Sequence, residues 1–170
     1  WEKGDYKDGK KEGSWIEYIS DGRLSREVTY KNGKEDTFVH YSYYDNGQLE
    51  SKVTFKDGKF DGPVISYHTN GQLSVKATFK DGKENGPWVE YHKDGWLEYE
   101  GTFKDGILDG PYVRYHANGQ LQIKTTMKNG EKDGPSAIYH DNGRLRSEGA
   151  YKDGKLDGPY VSYHDNGQLQ

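Results

Sequence analysis

Five histidines recur at a constant interval, His68, His92, His116, His140 and His164, with His40 outside the frame. Imidazole is the side chain best suited to hold zinc or to move a proton near neutral pH. An acidic column, Asp57, Asp81, Asp105 and Asp153, suggests calcium in the same way. Both chemistries require the groups to converge. In an array of hairpins, equivalent residues stand two strands apart, about 9.6 Å, whereas a zinc–nitrogen bond is about 2.0–2.1 Å. One ion cannot bridge two rungs of such an array. The histidines are therefore expected to pack beside their own turns, and the aspartates to serve turn geometry. Neither a metal nor another cofactor is expected.

Catalysis requires unlike groups in one place, with environments that separate their pKa values. This chain offers the same few groups in every repeat. It carries no phosphate-cradling glycine loop, no nucleophile elbow and no metalloprotease histidine pair. The expectation for these residues is a protein that is not an enzyme.

The elements that position these columns follow from two aromatic frames. Tyr18, Tyr43, Tyr67, Tyr91, Tyr115, Tyr139 and Tyr163 are spaced 25 residues once and 24 thereafter. Tyr6, Tyr30, Phe55, Phe79, Phe103, Met127 and Tyr151 form the second frame. Glycines after Asn or Asp punctuate each unit twice, as at Gly58 and Gly71 or Gly106 and Gly119. Asn-Gly and Asp-Gly suit type I′ hairpin turns, which need positive φ at both central residues. The roughly ten residues between turns match a strand. Alternation places Leu73, Val75, Ala77 and Phe79 on one face, and Ser74, Lys76 and Thr78 on the other. Val113, Tyr115, Leu121 and Met127 are read as the inward set of their unit. Asp-Gly-Pro recurs at Asp61–Pro63, Asp109–Pro111, Asp133–Pro135 and Asp157–Pro159, with Asn85-Gly86-Pro87 as a variant. Proline cannot donate to a ladder, so a bulge or bend is expected at each, curling the sheet into a trough. The reading is an all-β fold, an elongated repetitive antiparallel β-hairpin array of about seven 24-residue units.

Composition narrows the class. Net charge is −4 and pI about 5.9, which supplies no electrostatic reason for a nucleic-acid partner. No apolar run is long enough to insert in a membrane or serve as a signal peptide. There is no Cys, so disulfides are excluded and the compartment, cytoplasmic or cell surface, stays open. Leu, Ile, Val and Phe total 28 of 170 residues, while aromatics reach 14%, so the core is aromatic rather than aliphatic. One unit cannot bury enough surface to fold alone, and stacked neighbours must share their faces.

The unit, typified by "DGPYVRYHANGQLQIKTTMKNG" at Asp109–Gly130, resembles the bacterial variant of the MORN repeat. Similar arrays occur in proteins described as YwqK-type antitoxins. The resemblance covers essentially all of residues 1–170 as a single β-repeat domain, read as a segment of a longer repeat protein. It implies a hairpin array acting as a scaffold or binding module; the antitoxin description implies neutralisation of a toxin partner. The second unit departs from the pattern, with Thr37-Phe38-Val39 in place of Gly-Pro, and its register is left open.

Trp15, Trp88, Tyr112 and Tyr160 occupy one equivalent position, shared with the smaller Val64 and Ser136. By alternation they point away from Tyr91, Tyr115 and Tyr163. Trp96 is expected near the Trp88 hairpin. Such a column is either an exposed binding surface or a second core. The leading function is a rigid extended surface for protein binding or scaffolding. The alternatives are an antitoxin or immunity protein, and a self-associating component of a cell surface or fibre. Partner binding or self-association would use the aromatic face or the open ends of the sheet. Unequal repeats around one hot region, such as Trp88 and Trp96, favour a binder; near-equal repeats with complementary ends favour a fibre.

Overall fold

The computed structural model describes all of residues 1–170. Fourteen strands follow one another and no helix intervenes. The chain forms two compact units, Trp1–Lys83 and Glu84–Gln170. The first contains β1 (Glu2–Lys7), β2 (Lys10–Tyr18), β3 (Leu24–Lys31), β4 (Lys34–Tyr43), β5 (Leu49–Lys56), β6 (Lys59–Tyr67) and β7 (Leu73–Lys80). The second is built from β8 (Lys83–Tyr91), β9 (Leu97–Lys104), β10 (Ile107–Tyr115), β11 (Leu121–Lys128), β12 (Glu131–Tyr139), β13 (Leu145–Lys152) and β14 (Lys155–Ser162). Within each unit, every strand pairs antiparallel with its chain neighbours.

Two kinds of turn alternate. At the Asp-Gly column both central residues have positive φ, as at Asp57 (49°) and Gly58 (73°), and these are the tight turns expected. The Asn-Gly column behaves differently. There glycine alone has positive φ, as at Gly119 (81°). Its N–H donates to the carbonyl of His116, three residues back, at 2.8 Å. The Asn at this turn acts through its side chain instead. Asn118 Oδ1 accepts from the Gln120 N–H at 3.0 Å, closing an Asx turn. The expectation of type I′ geometry at both columns is corrected accordingly.

The Gly-Pro segments form the expected bulges. Leu108 pairs with Phe103 and Tyr112 with Gly101, so β10 takes four residue steps where β9 takes two. The same offset recurs at Lys132 to Ser136 and at Phe60 to Val64. Two extra residues leave the in–out alternation intact on either side of the bulge. Proline is harmless here because its missing donor lies where the ladder is already interrupted. β4, without Gly-Pro, has a one-residue offset instead: Tyr30 pairs with Glu35, then Thr29 with Thr37. The register of the second repeat thus differs from that of the others.

Side chains sort into two faces within each unit. One carries the packed row. In the first unit, Trp15 opposes Val28 and Val28 opposes Phe38. Trp15 and Val28 are 3% and 2% exposed, with Tyr30 buried beside them. The Phe38 ring stacks on Phe55 at 4.7 Å, and Phe60 bridges Phe55 and Phe79 edge-on at 4.9 and 5.4 Å. In the second unit the row runs Trp88, Gly101, Tyr112, Thr125, Ser136, Gly149, Tyr160. The inward set expected from alternation needs correction. Val113 pairs with Lys124 and Glu100, on the face opposite Tyr112, whereas Met127 lies on the Tyr112 face. A further bulge, where Arg114 pairs with Ile123 but Tyr115 with Leu121, breaks the alternation that linked them.

Candidate binding surface

The face opposite the packed row carries two parallel rows in the second unit. Val113, Lys124, Ala137, Glu148 and Val161 pair in succession across β10 to β14. Pro111 with Thr126, and Pro135 with Ala150, build the row beside it, which Pro159 continues on β14. Between the rows lies an open groove of about 570 Å³, floored by Thr125, Ser136 and Gly149. Pro111, Pro135 and Pro159 are exposed along it, and so are Lys124 and Glu148. The first unit has a smaller counterpart of about 280 Å³, where Ser14, Thr29 and Thr37 stand in place of the proline row. Proline and aliphatic side chains left open to water on a sheet of charged composition make the larger groove an apolar opening on its face.

The aromatic column belongs to the other face. Trp15 is buried in the packed row, with Tyr6 and Tyr30 edge-on at 5.1 and 6.0 Å and the Lys11 ammonium 4.2 Å above its ring. At this position the second-core alternative describes Trp15, and the exposed-surface alternative does not. Trp88 is half-buried against Phe103 at 5.7 Å, and Tyr112 half-buried against Tyr99 at 5.3 Å. Tyr160 retains 49% of its surface. Trp96 lies in the turn after the Trp88 strand and stacks flat on His92 at 4.3 Å. Burial, and then the neighbouring Tyr112, push the Tyr99 phenol up to about 12.

The histidine column divides: His92 stays beside its own turn as expected, accepting from the Asp94 N–H at 3.4 Å and stacking on Trp96, whereas two others reach into the next repeat. His116 Nε2 meets the carbonyl of Tyr139, in the next repeat, at 3.0 Å. His140 does the same to Tyr163 at 3.1 Å. In the second repeat a tyrosine fills this position, and Tyr44 donates its hydroxyl to the Tyr67 carbonyl at 2.7 Å. Asn118 and Asn142 donate to the next turn through Nδ2, reaching the carbonyls of Asp141 and Asp165. On the opposite edge, the Asp of Asp-Gly-Pro accepts from the next tight turn: Asp61 from the Asp81 N–H at 3.1 Å, Asp109 from the Asn129 N–H at 3.2 Å. The polar columns are thus staples between successive repeats, each satisfying a backbone group that a turn or bulge leaves unpaired. No three His, Cys, Asp or Glu side chains come together as a metal site.

The model of the MORN repeat variant matches seven times, at residues 11–32, 39–57, 60–81, 84–105, 108–129, 132–153 and 156–170. The chain belongs to the MORN repeat variant family. Each matched segment of this MORN array starts just after a tight turn, or inside β4 for the second, so the family's unit is one strand, the Asn-Gly turn and the strand that follows. The break between residues 32 and 39 falls on the one-residue bulge of β4. No curated protein matches the chain.

Sequence reasoning misses the groove because strict alternation assigns Val113 to the core. A signal for it exists. Where the packed column carries a large aromatic, the adjoining odd strand carries glycine, as Gly101 for Tyr112 and Gly149 for Tyr160. Where the column is small, the partner is larger, as Thr125 for Ser136 and Val53 for Val64. Size compensation of that kind marks a packed face and leaves the other one open.

Proposed function

We propose that this MORN array is a non-enzymatic module that binds protein segments on a rigid surface, and that the groove across β10–β14 is where it binds them. The observation that carries this reading is the run of exposed proline and half-buried aliphatic side chains on the face that its own packing leaves uncovered. Cross-strand pairing and inter-repeat staples hold the rows in place, so little ordering cost accompanies binding. The antitoxin reading is a special case of the same use, in which the bound protein is a toxin.

The test selects displayed peptides of random sequence on the whole chain. Binding of the selected peptides is then measured with Ala137→Arg, which places a long cation in the groove. At least a tenfold loss with an unchanged melting temperature supports the proposal. Peptides indifferent to Ala137→Arg, or a selection that returns no binder, overturn it.

A further inference from the structure

We propose that the groove of the second unit takes an extended, proline-containing peptide in the polyproline II conformation, lying across the strands. The proposal rests on the reading of this groove as a protein-binding surface, and spacing is what singles out the conformation.

Pro111, Pro135 and Pro159 stand on alternate strands, β10, β12 and β14, and so repeat about every 9.6 Å across the sheet. They form three ridges. The two valleys between them are floored by Thr126 on β11 and Ala150 on β13, again about 9.6 Å apart. A ligand that fills both valleys must present similar side chains at that interval. Polyproline II advances about 3.1 Å per residue with three residues per turn, so every third side chain returns to one face after about 9.3 Å. The mismatch over one repeat is a few tenths of an ångström. An α-helix returns its side chains after about 5.4 Å, and two turns overshoot to about 10.8 Å. A β-strand returns them after about 6.8 Å. Of these regular conformations, polyproline II alone stays in step with both valleys. The preformed shape also lowers the ordering cost, and the ligand's rings would lie flat against the ridge prolines.

Charge completes the description. Lys124 borders the first valley and Glu148 the second. Both are exposed and stand two strands apart, too far to neutralise each other. The matching peptide carries an apolar residue at every third position, an acidic residue beside the first and a basic residue beside the second. The first unit lacks this arrangement, because Ser14 and Thr37 replace two of the ridges.

The test uses the whole chain and fluorescein-labelled peptides read by polarisation. The probe has the sequence Pro-Leu-Asp-Pro-Leu-Arg-Pro. One control moves the leucines to alternate positions, and another is an Ala-rich helix former with leucines at helical spacing. The probe is expected to bind at least tenfold more tightly than either. Lys124→Glu should weaken it about threefold, the size of a solvent-exposed ion pair, and replacing the probe's Asp by Arg should restore that loss. Equal affinity for the alternately spaced control, or indifference to Lys124→Glu, overturns the proposal. If only the helix former binds, and Ala137→Arg abolishes it, the polyproline II proposal fails while the groove remains a binding surface. If no peptide of any kind binds there, the groove reading itself fails.

Discussion

The indole of Trp15 lies directly across Gly4, so that a Cβ on that glycine would overlap the ring. Gly4 sits in β1, in ordinary extended backbone rather than the left-handed region, and its conformation does not demand glycine. What demands it is the neighbouring ring. The same relationship recurs at Gly101, where a Cβ would meet Leu108 at 2.9 Å and the Tyr99 ring at 3.3 Å. Gly4→Ala is therefore expected to destabilise the first unit by about 1–3 kcal/mol, the usual cost of overpacking. That outcome opposes strand propensity, which favours Ala over Gly. In chemical denaturation, the double variant with Trp15→Ala should lose less than the two single losses combined, because removal of the ring vacates the space. Strict additivity would mean that the ring and the glycine do not share that space.

Turn conformation can be isolated at Gly119, where φ is 81° and a Cβ would meet nothing within 4 Å. Gly119→Val changes backbone strain without a clash. It should cost about 1–3 kcal/mol, whereas Gln120→Val, one residue on, should cost a few tenths. Equal shifts in melting temperature would argue against the positive-φ turn.

The inter-repeat staple is testable by exchange. His116→Leu leaves the Tyr139 carbonyl without its partner and should cost about 1 kcal/mol. His116→Tyr should recover most of that, because Tyr44 already makes the equivalent bond in the second repeat. Zinc added to the wild type should leave the melting temperature unchanged, since the histidines serve different carbonyls in different repeats. A stabilisation that saturates with zinc would contradict that assignment.

Much of this fold is legible in the chain because its strongest signals are local. Asp57-Gly58 and Asp61-Gly62-Pro63 determine φ or remove a donor within a few residues, and the turns and bulges fall where those residues stand. The faces are not legible, because strict alternation from Val113 to Leu121 assumes an unbroken ladder. The bulge at Tyr115 violates that assumption, and one slip exchanges the faces. The role of His116 is hidden for a different reason. Its acceptor is a backbone carbonyl 23 residues away, and no side-chain pattern announces a carbonyl. The aromatic column can be placed by volume instead of alternation, since Gly4, Gly101 and Gly149 stand beside Trp15, Tyr112 and Tyr160.

Stability should decline at both ends of the pH scale, through two identifiable groups. Tyr99 has its phenol raised to about 12 by burial and by Tyr112, so the folded state favours the neutral form. Its contribution is complete below the unfolded value of about 10, and is lost as pH rises through about 12. Glu35 is shifted the other way. Hydrogen bonds from Arg26 hold its carboxyl below the ordinary range, and the Tyr30 hydroxyl adds a 3.2 Å bond. Its contribution is present above the ordinary carboxylate value and is lost as pH falls through the depressed one. The carboxylate is 41% exposed, so this acid-side effect is the smaller. Melting temperatures across pH should therefore form a plateau with two shoulders. Tyr99→Phe should flatten the alkaline shoulder and leave the acid one, while Glu35→Gln should do the reverse. An alkaline decline unchanged by Tyr99→Phe would show that other tyrosines, such as Tyr30 and Tyr43, whose phenols burial also raises, control stability there.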